Sequence, residues 1–123
     1  MATLTPTLTL SSSDMNGDTL NLSVTDSLSI LGQVTTKQVA TSTSSAIFAT
    51  AANYTKSYVY LKNLSTTAAE IITIEKADGG DEYMTLGAGE FAFFPWASTV
   101  DLAVDAAQGT PTLEVRIYQE AAA

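Results

Sequence analysis

Residues 86–96 read LGAGEFAFFPW, a double-glycine turn followed by Phe91, Phe93, Phe94 and Trp96. Gly87 and Gly89 make the turn, and Phe91–Phe94 reads as a strand ended by Pro95. By the period-two rule Phe91 and Phe93 share one face of that strand, read here as core. Phe94 and Trp96 fall on the opposite face. There they cover the sheet's second side, pack against a neighbouring subunit or stack on a ligand.

Strands flank this stretch on both sides. Tyr83–Leu86 leads into it, preceded by the strand Glu70–Lys76 (EIITIEK) and the glycine turn ADGGDE. Further upstream, YVYLKNL (Tyr58–Leu64) puts Val59 and Leu61 on one face and Tyr60 and Lys62 on the other, with Asn63 and Ser65 beginning a turn. Downstream, Val100–Val104 and Leu113–Tyr118 supply two more strands.

At the N-terminus, Leu4, Pro6, Leu8 and Leu10 alternate with Thr5, Thr7 and Thr9, an edge strand because of Pro6. Asn16-Gly17 tips the turn cluster Ser11–Asp18. Alternation resumes at Leu20, Leu22 and Val24, then Leu28 and Ile30, as one long strand or two divided near Asp26. The segment 35–57, rich in Ser, Thr and Ala, reads as a long loop with a short strand, or a short helix over Ser44–Ala52.

About eight short strands at hairpin spacing predict a single all-β domain over 1–123, an antiparallel β-sandwich of jelly-roll type, with residues 1–18 as an N-terminal arm. The 123 residues suit one core.

Composition excludes several kinds of chemistry. The chain has no Cys and no His, so disulfides, thiolate zinc sites and histidine bases are absent. Its net charge is −8, with five Lys and Arg scattered along the chain, which argues against direct nucleic-acid binding. No apolar run approaches the roughly 20 residues of a membrane-spanning helix. The N-terminus lacks the pattern of a signal peptide, so a soluble protein made in a cytoplasm is expected. The acidic turn Asp78–Glu82 is either a solvated hairpin loop or a Ca²⁺ loop, although its spacing departs from an EF-hand. No nucleophile elbow or recognisable carboxylate pair is present, so no catalytic residue and no cofactor is expected. Asn21, Asn53 and Asn63 sit in Asn-x-Ser/Thr triplets, which so Ser/Thr-rich a chain produces by chance.

Residues 57–120 resemble small β-sandwich virion proteins of tailed bacteriophages. The matching features are Tyr58, Tyr60, Lys62 and Asn63 in one strand, then Leu86, Gly89 and Glu90 at the turn into the aromatic strand. Ala103 and a last strand with Glu114, Val115 and Ile117 complete the likeness. The resemblance implies a homotrimeric capsid decoration (cement) protein on the virion exterior, seated on the major capsid protein. Another role it allows is a carbohydrate- or receptor-binding module of a head or tail fibre. In either case Phe94, Trp96, Tyr58 and Tyr60 are the candidate contacts, with another protein chain as the expected cover.

Overall fold

The structure, a computed structural model, describes residues 1–15, 20–77 and 81–121. Among these residues the strands are β1 (Ala2–Leu4), β2 (Thr7–Ser12), β3 (Leu20–Thr25), β4 (Leu28–Ala40), β5 (Ala46–Ala49) and β6 (Ser57–Asn63), followed by β7 (Ile72–Lys76), β8 (Glu82–Leu86), β9 (Phe91–Trp96), β10 (Leu102–Ala106) and β11 (Thr112–Glu120). The turn expected at Asn16-Gly17 and residues 78–80 of the acidic loop lie outside the described residues.

Two antiparallel sheets face each other, in the orders β1-β4-β11-β6-β9 and β5-β10-β7-β8. From β4 onward every connection crosses between sheets except the β7–β8 hairpin. The chain is thus one long hairpin rolled up, with β4 beside β11, β5 beside β10, β6 beside β9 and β7 beside β8. That is the jelly roll the strand spacing predicts.

Alternation supplies the core. Val59 and Leu61 of β6, Ile72 and Ile74 of β7, Leu102 and Val104 of β10, and Leu113, Val115 and Ile117 of β11 are all 0–1% exposed. Each is a β-branched or γ-branched aliphatic on the inner face of a pleated strand, where it packs best. Asn63 is buried at one end of this core. Its Nδ2 donates to the carbonyls of Glu70 (2.9 Å) and Leu86 (3.0 Å), while its Oδ1 accepts from the Ser65 amide (3.0 Å). One amide side chain therefore ties the ends of β6, β7 and β8 together.

The segment 35–57 is mostly not a loop. Residues 35–40 belong to β4, which pairs with β11 from Val34↔Tyr118 to Ala40↔Thr112. The short strand read within this segment is β5, and in place of the alternative helix over 44–52 the chain makes that strand and a 3-10 turn at Ala51–Asn53. The period was hidden because the inner face of this half of β4 carries Thr35, Lys37 and Val39, of which only Val39 packs on the core. Lys37 reaches across the gap and its Nζ donates to the Phe48 carbonyl of β5.

The N-terminal arm is longer than residues 1–18, because β3 is its second strand. β1 pairs with the start of β4 (Ala2↔Ile30, Leu4↔Leu28), and β2 pairs with β3 in the same register (Leu8↔Val24, Leu10↔Leu22). The Asp26 amide donates to the Pro6 carbonyl at 3.1 Å and joins the two halves. The result is one continuous two-stranded ribbon. Its base is an edge of the larger sheet, and its outer half, β2 with β3, belongs to neither sheet.

Candidate interaction face

The facing of β9 follows from β6. Directly paired residues of neighbouring strands point to the same side of a sheet. Val59 pairs with Phe94 and Leu61 with Ala92, whereas Tyr60 pairs with Phe93 and Lys62 with Phe91. Val59 and Leu61 are fully buried, so Ala92, Phe94 and Trp96 point into the sandwich. Phe91 and Phe93 point out of it, 63% and 41% exposed.

This inverts the expectation from the sequence. Trp96 is 6% exposed, its indole Nε1–H donates to the Val100 carbonyl at 3.2 Å, and its ring lies 5.6 Å from Tyr54 at a tilt of 57°. Phe94 is half-buried against the same core. Neither ring is free to meet a partner. Phe91 and Phe93 take that place, and they do so for a reason local alternation cannot supply. The strand is aromatic on both faces, and only its register with β6 decides which face is inner.

Strand pairing arranges the outer face of the large sheet in rows. Arg116, Tyr60 and Phe93 form one row across β11, β6 and β9, with Glu114, Lys62 and Phe91 beside it. Tyr118, Tyr58 and Pro95 form the row on the other side. Tyr58 is buried even here: it stacks on Phe93 (centroids 6.4 Å apart, 14° between planes). Its hydroxyl donates to Glu120 at 3.1 Å. Lys56 lies 5.5 Å from its ring centroid, and the Glu120 carboxylate 3.5 Å from the Lys56 ammonium raises the lysine pKa. Tyr60 is half-buried, and burial, helped by the Glu114 carboxylate, raises its phenol above the ordinary 10.0. Of the four expected contact residues, Tyr60 lines the open surface beside Phe91 and Phe93, while Tyr58 borders a separate hollow with Met1, Leu28 and Glu120.

The surface at Tyr60 is a cleft of about 470 Å³. One wall is the outer face of the sheet: Phe91, Phe93, Tyr60 and Tyr118, with Glu114 and Arg116 between them. The other wall is the base of the ribbon, Leu4 to Leu8. Beyond the cleft the ribbon is amphipathic. Leu8, Leu10, Leu20, Leu22 and Val24 share one face by their pairing, while Thr7, Thr9, Ser11, Asn21, Ser23 and Thr25 share the other. The apolar face is uncovered, with Leu8, Leu10, Leu22 and Val24 exposed at 46, 43, 42 and 51%. The alternation was visible in the sequence. That no described residue covers it was not.

No group of three or more metal-ligating side chains occurs among the described residues. On the outer face of the smaller sheet, Asp105 has its pKa raised by burial and then by the nearby Glu75 carboxylate, and Glu75 accepts from the Ser45 hydroxyl at 2.6 Å. No helix among the described residues is long and apolar enough to cross a membrane.

Fold and surface together define a jelly-roll β-sandwich bearing an amphipathic β-ribbon arm. No protein-family model matches the chain, and no characterised protein sequence matches it. Among solved structures it is similar to a protein of Bacillus endospore appendages, described as a family of disulfide-linked pili. The two share 12% sequence identity at a TM-score of 0.53, over 76% of this chain and 90% of the other. At that identity the likeness is one of fold.

Proposed function

We propose that the protein is a structural subunit that works by non-covalent association with copies of itself and with the surface of a larger protein assembly. The observation that carries this reading is the paired apolar surface: an aliphatic face on the ribbon with Leu8, Leu10, Leu22 and Val24 exposed, beside an exposed aromatic cleft. A two-stranded ribbon is at best marginally stable alone in water, so such an arm is built to lie on something. The structurally similar Bacillus protein belongs to disulfide-linked pili. This chain has no Cys, so its cohesion comes from burial and hydrogen bonding alone. The resemblance of residues 57–120 to phage virion proteins makes capsid decoration the particular role, as a trimer seated on the major capsid protein.

Sedimentation analysis across the micromolar range tests self-association. An oligomer with a concentration-dependent mass is expected, and a monomer at every concentration sinks the reading. Co-sedimentation with purified phage heads lacking decoration tests the capsid role, for which saturable binding is expected.

Carbohydrate binding is a second reading, supported by the Phe91 and Phe93 rings lying beside Glu114 and Arg116. It predicts glycan-array signals abolished by Phe91→Ala. Trp96, buried and hydrogen-bonded, takes no part in it.

A further inference from the structure

We infer that the cleft over β6, β9 and β11 is the docking site for the β2–β3 ribbon of a second copy of this chain. The inference rests on the self-association proposed above and names the surfaces that carry it.

The chain's own ribbon does not fill the cleft. Leu4, Pro6 and Leu8 form one wall of it, held there by the pairing of β1 with β4 and by the Asp26–Pro6 hydrogen bond. They hold open a space of about 470 Å³. An occupant must offer an aliphatic face to Phe91 and Phe93, and its own backbone groups must already be paired. It must also carry no negative charge onto a chain of net charge −8. The outer ribbon meets all three conditions. Leu10, Leu22 and Val24 lie on one face, the ladder from Thr7↔Thr25 to Ser12↔Leu20 pairs the two strands, and neither Thr7–Ser12 nor Leu20–Thr25 contains a charged residue.

Areas agree. At about 200 Å² for a whole aromatic side chain, the 63% and 41% exposure of Phe91 and Phe93 leaves roughly 200 Å² of ring uncovered. Leu8, Leu10, Leu22 and Val24, each 42–51% exposed, add on the order of 150 Å². When each copy both donates an arm and receives one, it buries both surfaces. The total approaches the roughly 450 Å² of apolar area that each partner contributes to a standard-sized interface.

The cysteine-free sequence makes a direct test simple. Leu22→Cys and Phe91→Cys are purified as separate single variants of the full chain, mixed, and oxidised gently, and covalent products are weighed by mass spectrometry. The expected result is a disulfide-linked heterodimer of the two variants, formed at least tenfold faster than when Ser23→Cys, on the polar arm face, replaces Leu22→Cys. Equal rates for the two arm faces would overturn the inference, as would an oligomer by sedimentation that yields no heterodimer. In that last case self-association stands and only this docking site falls. A monomer that yields no heterodimer removes both. Circular dichroism of each variant, matched to the parent, confirms that the chain tested is folded.

Discussion

Phe91 and Phe94 lie in one strand, three residues apart, and the structure assigns them opposite fates. Phe94 is half-buried against the core and Phe91 is 63% exposed. Truncating a fully buried Phe to Ala costs about 3–5 kcal/mol, so a half-buried ring should cost roughly 2–3 kcal/mol. The Phe91→Ala change removes ring that already faces water, and such changes stay within about 0.5 kcal/mol. Urea titration at high dilution, where association is negligible, should therefore separate the two variants. In thermal melts the difference is on the order of 10 °C for a domain of this size. Raising the protein concentration adds a second axis. The parent should melt higher as mass action favours the oligomer, and Phe91→Ala should lose that gain. Equal losses for the two variants at high dilution would refute the assignment of faces, and the cleft would lose its aromatic wall.

Further predictions concern the frame that holds this face. Asn63→Ala strands the buried Leu86 carbonyl and the part-buried Glu70 carbonyl and Ser65 amide, and it should cost roughly 3 kcal/mol in denaturant titration; a loss below about 1 kcal/mol would contradict the network. Gly109 has φ +67°, and an added Cβ would press on the tip of the Glu70 side chain. Gly109→Ala should cost about 1–2 kcal/mol for the left-handed backbone alone, a loss that Glu70→Ala in the same chain does not restore. Asp105 has a folded-state pKa raised above its ordinary 3.8. The folded protein then holds the proton more tightly than the unfolded chain, so the carboxyl favours folding at low pH and this contribution is lost as pH rises through the folded pKa. Asp105→Asn should raise the melting temperature at neutral pH and leave it unchanged below pH about 3.8. A melting temperature equally raised at both pH values would point to packing instead.

The parts of the fold that the sequence reveals are those where large aliphatics alternate with polar residues. Val59 and Leu61 in YVYLKNL, and Leu113, Val115 and Ile117 near the C-terminus, announce both strand and inner face. Two other stretches resist the same reading. In β4, Thr35 and Lys37 occupy the inner face, so hydropathy loses its period where the strand is held by pairing with β11. In β9 the period survives, but aromatic rings occupy both faces. Local sequence gives the alternation there and not its sign, because the sign belongs to the register with β6. The arm presents a third case. Leu8, Leu10, Leu22 and Val24 alternate as clearly as any core strand, yet alternation reports only that a face is apolar. Whether the chain itself covers that face depends on where Pro6 and Asp26 direct the ribbon.

The edges of the large sheet narrow the ways in which copies can meet. Unpaired strand edges invite chain-to-chain hydrogen bonding, and proteins blunt them with inward charges and proline. Along β4, residues 31–40 have no strand partner on the side away from β11 among the described residues, and there Lys37 turns inward to the Phe48 carbonyl. At the opposite edge β9 carries Pro95, which has no amide hydrogen to offer. Both devices oppose growth of the sheet by strand addition. The faces are protected differently: Phe91, Phe93 and the aliphatic side of the ribbon stay open, with no charged residue on the ribbon strands to keep them apart. A sheet closed at its edges and open on one face directs association to that face. With one arm and one cleft per chain, arm exchange closes into a ring or runs on as a filament according to the rotation between neighbouring copies, and not by the stacking of strand edges.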